Sequence, residues 1–327
     1  ASSHWLLAWM GLEINTMAII PLMARQHHPR AVEATTKYFL TQATAAATLL
    51  FASMTNAWLT GEWAINYLTH PLANTLAIMA LALKVGLAPL HFWLPEVLQG
   101  LDLTTGMILS TWQKLAPFAL LLQLAHSVNP MLLTVLGLTS ALVGGWGGLN
   151  QTQLRKLLAY SSIAHLGWMV TVLPHAPHLT VLNLGLYIIM TSTMFMAFKA
   201  VMATKISTLA TAWTVNPLLM ATTMLALLSL GGLPPMTGFM PKLLILQELA
   251  NQQLLGTATV IALGSLISLF FYMRLCYVMA LTISPNTNNT TAVWRLKNTR
   301  ATLPLAMLTT TTIVMLPLTP AFLALSY

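Results

Sequence analysis

Apolar runs of about twenty residues, parted by short polar connections, follow one another along almost all of this 327-residue chain. Hydrocarbon offers no water to backbone N–H and C=O groups, so a spanning segment must close its hydrogen bonds as a helix or within a closed barrel. A barrel strand needs only about ten residues; runs twice that length call for helices. Charged residues make up 6% of the chain and hydrophobic ones 57%, with a mean hydropathy of +0.75, well outside the soluble range. The expected fold is an all-α polytopic membrane protein of about ten transmembrane helices, a single transmembrane domain over residues 1–327. The longest polar stretch, Ile283 to Arg300, reads as a loop, so no separate soluble domain fits.

Several function classes drop out on composition. The net charge of +8 comes from basic residues scattered singly between spans, which act as topology signals rather than as a nucleic-acid surface. One cysteine, Cys276, excludes an internal disulfide, a cysteine-held iron–sulfur cluster and a zinc-thiolate site. No GxGxxG or phosphate-loop pattern occurs, and Gly144-Gly145-Trp146-Gly147-Gly148, at the end of an apolar run, suits close helix packing instead. The opening Ala-Ser-Ser-His-Trp has neither an initiator Met nor a signal-peptide pattern, and reads as starting inside a longer protein.

The spans are placed near Ser2–Met23, Thr36–Leu59, Leu72–Leu98, Leu103–Leu124, Pro130–Leu149, Leu154–Leu173, Leu179–Lys199, Asn216–Leu249, Leu254–Leu281 and Thr302–Leu325. The first, fifth, seventh and ninth connections, with their flanks, carry Arg25, Arg30 and Lys37; Arg155 and Lys156; Lys199 and Lys205; and Arg295, Lys297 and Arg300. The even-numbered connections carry no Lys or Arg. Of the 14 basic residues, all but Lys84, Lys114, Lys242 and Arg274 therefore fall on one side, which is the side of insertion. Asn150, Asn288 and Asn289 open N-x-T triplets on that side, where glycosylation is not expected. Loop aromatics such as Trp63 and Tyr67 read as an interfacial belt.

The third and eighth spans are too long for one straight crossing, and they match each other. Gly86, Leu87, Pro89 and Pro95 align with Gly232, Leu233, Pro235 and Pro241 at a constant offset, and Glu96 aligns with Lys242. Glycine and proline predict a helix break in each, at Gly86 to Pro89 and at Gly232 to Pro235, because proline removes an N–H and frees carbonyls upstream. An odd number of connections separates the two, so the broken helices run in opposite directions and the repeat is inverted. Discontinuous helices in inverted repeats line the pathways of many transporters. Packed kinks without a pathway are the simpler alternative.

Against so apolar a background, four charges lie deep in spans: Glu13, Lys84, Lys114 and Lys242. Each costs about 2.5–3.5 kcal/mol on insertion scales, and none is near enough to an interface to snorkel. Burial brings a lysine's proton into exchange near neutral pH, and a carboxylate about 6 Å away stabilises an ammonium by about 2.8 kcal/mol at an effective dielectric near 20. A glutamate moving to or from Lys84 would thus switch that lysine between holding and releasing a proton. Moving a charge against about 200 mV takes about 4.6 kcal/mol, so one such pair needs an outside energy source. The structural alternative pairs Glu13 with one lysine and leaves the others bonded to carbonyls. Of the membrane-embedded histidines, His91 and His165, each is open to packing, to a relay role or, less simply, to haem ligation.

The strings WMGLEINTMAIIP (9–21), KYFLTQA (37–43), KVGLAPLHFWLPE (84–96), GGWGGLNQTQLRKLLAYSSIAHLGW (144–168) and LSLGGLPPMTGFMPK (228–242) closely resemble the NADH dehydrogenase subunit 2 family, antiporter-like membrane subunits of respiratory complex I. The likeness runs in order along essentially the whole chain and is closest to the short vertebrate form, whose first helix is not seen here. It implies two inverted five-helix repeats, here about residues 1–124 and 130–281, with a C-terminal helix at about 302–325. It places the family's proton-path residues on Glu13, Lys84, Lys114 and Lys242. It further implies that NADH, FMN, iron–sulfur clusters and ubiquinone reside in other subunits, with no cofactor or metal on this chain. The implied partners are complex I membrane subunits on both flanks and the lipid bilayer, cardiolipin included. The implied location is the mitochondrial inner membrane, basic loops facing the matrix. Two alternatives stand beside a proton-translocating subunit: a structural assembly subunit, and a stand-alone cation/proton antiporter.

Overall fold

The computed structural model describes residues 3–25, 27–214, 217–281 and 302–326. The expected loop Ile283–Arg300, with Asn288, Asn289, Arg295, Lys297 and Arg300, lies outside the described residues. Among the described residues the chain is helical, with two isolated backbone bridges and no strand. The helices are α1 Trp5–Ala24, α2 Pro29–Thr60, α3 Pro71–Val85, α4 Trp93–Gly100, α5 Leu103–Ser110, α6 Trp112–Leu124, α7 Pro130–Gly148 and α8 Leu154–Val172. They continue with α9 Pro177–Val201, α10 Ile206–Thr211, α11 Pro217–Gly231, α12 Phe239–Asn251, α13 Leu255–Leu281, α14 Leu303–Val314 and α15 Thr319–Ser326.

Local chemistry sets these limits. Proline opens α2, α3, α7 and α9, where its missing N–H costs nothing and its fixed φ suits the first turn. The His28 and Asn129 side chains cap α2 and α7 by accepting from the Arg30 and Met131 amides. Because Pro29 can start a helix, α2 begins seven residues before the expected Thr36. Trp5–Ala24, Pro130–Gly148, Pro177–Val201 and Leu255–Ala280 are each long and apolar enough to cross a membrane; Pro71–Val85, Pro217–Gly231 and Leu303–Val314 are apolar but shorter.

Both predicted breaks are present and built alike. Helices α3 and α11 each start on a proline, span 15 residues and end against a glycine in the left-handed region, Gly86 at φ 87° and Gly232 at φ 77°. After each, a leucine amide reaches back five residues, Leu87 to the Ala82 carbonyl at 2.9 Å and Leu233 to the Leu228 carbonyl at 3.2 Å, a glycine-terminated helix end. The chain resumes as α4 at Trp93 and as α12 at Phe239, in the same register.

Two expected single helices are also divided. Leu103–Leu124 splits into α5 and α6 at Thr111, with φ −112° and ψ −70°. Ser110 and Thr111 both turn their hydroxyls back onto the Met107 carbonyl, at 3.0 and 2.7 Å, which bends helices. Thr302–Leu325 divides at a short 3₁₀ turn containing Pro317.

The connections sort onto two ends of the bundle. The backbones of Gln153 and Lys205 form a bridge, Arg155 donates to the Leu101 carbonyl, and Arg274 donates to the Leu149 carbonyl at 2.8 Å. At the other end Trp5 and Trp63 are joined through their backbones at 3.0 Å, and Asn74 donates to Ser127 O at 2.6 Å. The glycines of α7 serve close packing, as expected: a Cβ on Gly144 would meet the Ala164 amide nitrogen of α8 at 2.5 Å.

Candidate functional site

Each deep lysine stands at the end of a half-helix. Lys84 is in the last turn of α3, Lys114 in the first turn of α6 and Lys242 in the first turn of α12. Lys84 and Lys114 are buried, while Glu13 and Lys242 are half-buried. A helix end offers backbone groups without intrahelical partners, and Lys242 takes one of them, the Gly231 carbonyl at the end of α11.

Glu13 opens the row on α1. Thr16, one turn on, donates to its Oε2 at 3.1 Å. A cleft of about 370 Å³ runs beside Glu13 between α1 and α2, and Thr16, Tyr38 and Gln42 form part of its wall. The same three side chains line a second, small cavity of about 10 Å³ whose other walls include Asn15, Lys84, Gln113 and Lys114, room for roughly one water. Asn15 and Gln113 are hydrogen-bonded across it at 2.7 Å. Lys84 and Lys114 therefore share one polar chamber, separated from Glu13 by a wall of hydroxyls and an amide. The charge of Glu13 is felt at Lys84. Lys84 Nζ has no hydrogen-bond partner among the described residues.

From Lys114 the row continues through aromatic rings. Its Nζ donates to Tyr187 Oη at 2.9 Å and sits 4.9 Å from the ring centroid. Tyr187 Oη in turn donates to the Ser110 carbonyl at 3.1 Å. That carbonyl is free because the kink at Thr111 turns the Lys114 amide to the Thr111 carbonyl instead, at 3.3 Å. The His165 ring lies 5.8 Å from the Tyr187 ring, and the charges of Lys242 and Lys114 both reach it.

At the second break the proline pair has a specific effect. Pro234 and Pro235 lie four residues after Leu230 and Gly231, whose carbonyls would accept from them in a continuous helix, and neither proline has an N–H to give. One of those carbonyls is taken by the row: Lys242 Nζ donates to Gly231 O at 2.8 Å. Trp168 faces Lys242 Nζ at 5.9 Å from its ring centroid, within cation–π range.

Not every predicted residue joins this row. His91 is buried in the first break against Phe92, 4.3 Å between centroids, and Tyr160 at 6.4 Å, in surroundings unlike those of His165. Glu96, aligned in sequence with Lys242, is exposed and pairs with Lys37 at 2.8 Å, as does Glu33 at 2.8 Å; the proximity of Lys37 holds the Glu33 carboxyl below its ordinary range. Sequence reasoning missed Asn15, Gln42, Gln113 and Tyr187. The three amides were visible as polar residues within apolar runs; Tyr187, in Leu-Tyr-Ile-Ile, gave no signal. Among the described residues no three His, Cys, Asp or Glu side chains gather as for a metal. The arrangement brings amines, an imidazole and hydroxyls, groups that can each bind or release a proton or hydrogen-bond to one, together in a mostly apolar core.

Comparison with known proteins agrees in kind. The family described as NADH:quinone oxidoreductase/Mrp antiporter, TM, matches residues 2–270, and that described as NADH dehydrogenase subunit 2 C-terminus matches residues 269–323. The chain is 70% identical over 326 residues to the NADH-ubiquinone oxidoreductase chain 2 of Carassius auratus, covering 100% of this chain and 94% of the relative. It is 63% identical to that of Danio rerio over 326 residues, with the same coverage. Among solved structures it resembles a chain of respiratory complex I from Thermus thermophilus with bound aureothin, with a TM-score of 0.80, 29% identity, and 97% of this chain and 75% of that one covered. A chain of the Mrp complex from Dietzia shares the fold at a TM-score of 0.82, with 16% identity and coverage of 99% and 73%.

Proposed function

The chain belongs to the NADH-ubiquinone oxidoreductase chain 2 family, the antiporter-like membrane subunits of respiratory complex I, and on that premise we propose that it passes protons along Glu13, Lys84, Lys114, Tyr187, His165 and Lys242. The observation that carries this reading is the succession of buried ionisable groups. Lys84 and Lys114 share one cavity, Lys114 is hydrogen-bonded to Tyr187, whose ring lies against that of His165, and Lys242 stands on the Gly231 carbonyl. Glu13 is the switch, stabilising or releasing the Lys84 ammonium as it approaches or withdraws. Lys114 receives the proton in the shared chamber, and Lys242 exchanges it toward one surface past the second break.

The energy enters from elsewhere. A proton moved against about 200 mV needs about 4.6 kcal/mol, more than one glutamate–lysine pair supplies. In our reading NADH, FMN, iron–sulfur clusters and ubiquinone act in other subunits. This chain is one of several membrane subunits, flanked by neighbours on both sides and by lipid including cardiolipin. We place it in the mitochondrial inner membrane with the basic connections toward the matrix. We also read about ten crossings in two inverted repeats, about residues 1–124 and 130–281. The matched geometry of the breaks after Gly86 and Gly232 supports that division.

The test is replacement of each lysine by methionine in the assembled enzyme, with proton translocation and NADH:ubiquinone activity measured side by side. The relay reading expects loss of pumping at each position with the complex still assembled. An enzyme that assembles poorly but pumps normally per complex would instead make these lysines structural.

A further inference from the structure

The second break is held from outside by α14, a helix that carries no residue of the proton row. Most buried hydroxyls of this chain bond back into their own helix, as Ser161, Ser162, Thr193 and Thr223 do, the ordinary habit of Ser and Thr in apolar helices. Ser229 and Thr237 do otherwise. Thr237 Oγ1 donates to the Thr312 carbonyl at 2.6 Å, Ser229 Oγ lies 3.1 Å from the same carbonyl, and the two hydroxyls are 3.0 Å apart. Thr312 is in the last turn of α14, where carbonyls have no intrahelical partner. Ser229, Thr237 and Thr312 are each buried, at 0, 1 and 1% exposure.

The two hydroxyls grip the break at both ends. Ser229 is two residues before Gly231, whose carbonyl holds Lys242, and Thr237 is five residues before Lys242 itself. The Gly238 amide also donates to Ser229 Oγ at 3.4 Å, and a Cβ on Gly238 would run into the Ser229 carbonyl. The end of α11 and the start of α12 are thus pinned together through the Ser229 and Thr237 hydroxyls, with α14 as the anchor.

We propose that Ser229 and Thr237, clamped on the Thr312 carbonyl, are positioning residues for Lys242. Through them the C-terminal helix α14 sets the distance between the Lys242 amine and the carbonyl end of α11. This deepens the relay reading and rests on it. The clamp supplies no proton of its own. A loosened clamp lets α12 turn against α11 and takes Lys242 off Gly231 O.

The test uses Thr237→Val, which keeps the shape and removes the hydroxyl, and Thr237→Ser, which keeps the hydroxyl, each in the assembled complex beside Lys242→Met. For Thr237→Val the expected result is a normal amount of complex, about a fivefold fall in the initial rate of proton translocation, as for one lost hydrogen bond, and a displaced pH profile of pumping. Thr237→Ser restores both rate and profile. If Thr237→Val lowers the amount of complex, Ser229→Ala, read per assembled complex, carries the same expectation. Unchanged pumping and pH profile per complex in both hydroxyl-deleted variants, with Lys242→Met impaired, would overturn the clamp alone. Normal pumping in Lys242→Met would overturn the relay reading beneath it.

Discussion

Lys114 and Tyr187, 73 residues apart in sequence, meet with 2.9 Å between Nζ and Oη, and that hydroxyl donates onward to the carbonyl opened by the kink in front of Lys114. The tyrosine is therefore both acceptor for the lysine and the cover for the helix end on which the lysine stands. Phenylalanine at 187 would keep the ring beneath the amine and remove only the oxygen. Hydrogen bonds to charged groups contribute about 1.5–3 kcal/mol, so Tyr187→Phe is expected to slow proton translocation roughly tenfold to hundredfold while the complex still assembles. Stopped-flow pH measurement on reconstituted vesicles checks it; a wild-type pumping rate would remove Tyr187 from the row.

What could be read in advance followed from side chains that are costly in hydrocarbon. Lys84, Lys114 and Lys242 stand out because a buried charge demands a reason, and the Gly86 and Gly232 breaks because glycine followed by proline has few other uses within a span. The kink at Thr111 was hidden, since Ser110 and Thr111 bend the helix by back-bonding and carry no such mark in sequence. Tyr187 was hidden for a related reason: its ring is at home in an apolar run, and only the fold brings its hydroxyl to Lys114. The alignment of Glu96 with Lys242 carries no shared role, because equal positions in a repeat do not face equal surroundings. Glu96 ends at the exposed face beside Lys37.

The two break glycines are expected to respond unequally to alanine. Both sit at positive φ, where a Cβ costs about 1 kcal/mol. On Gly86 the new methyl would meet Leu94 Cδ1 at 2.9 Å, the tip of a flexible side chain. On Gly232 it would meet Lys242 Cδ and Nζ at 2.8 Å, displacing the amine from Gly231 O. Gly232→Ala should therefore impair pumping nearly as far as Lys242→Met, and Gly86→Ala much less. Equal effects at the two positions would mean that strain, not lysine placement, decides the outcome.

Glu13 offers a test of charge separate from hydrogen bonding. Gln at 13 retains an oxygen for the Thr16 hydroxyl and removes only the negative charge that reaches Lys84. If Glu13 is the switch, Glu13→Gln lowers pumping roughly 30- to 150-fold, as expected for loss of a Coulomb interaction of about 2–3 kcal/mol, whereas Thr16→Val, which leaves the charge, has the smaller effect. The reverse order, measured in vesicles carrying each variant, would assign the site to hydrogen bonding instead.

The row depends on rigid helices, and α7 against α8 is the closest-packed pair to test. A Cβ on Gly167 would lie 2.6 Å from the Ala141 amide nitrogen, 2.6 Å from the Gly137 carbonyl and 2.7 Å from Ser140 Oγ. Two of those three are backbone and have no rotamer to yield, so Gly167→Ala must push the helices apart, at the roughly 1–3 kcal/mol typical of overpacking. His165 and Trp168 lie on α8 either side of that contact, so the displacement would reach the second half of the row as well. The expected outcome is a lower thermal midpoint of the solubilised complex, together with slower pumping in what remains assembled. Gly185→Ala on α9 is the control, because nothing lies within 4 Å of a Cβ placed there and alanine is the better helix former. A Gly167→Ala enzyme as stable as the Gly185→Ala enzyme would show that α7 and α8 can separate without cost, and rigidity would then play no part in holding His165 to its neighbours.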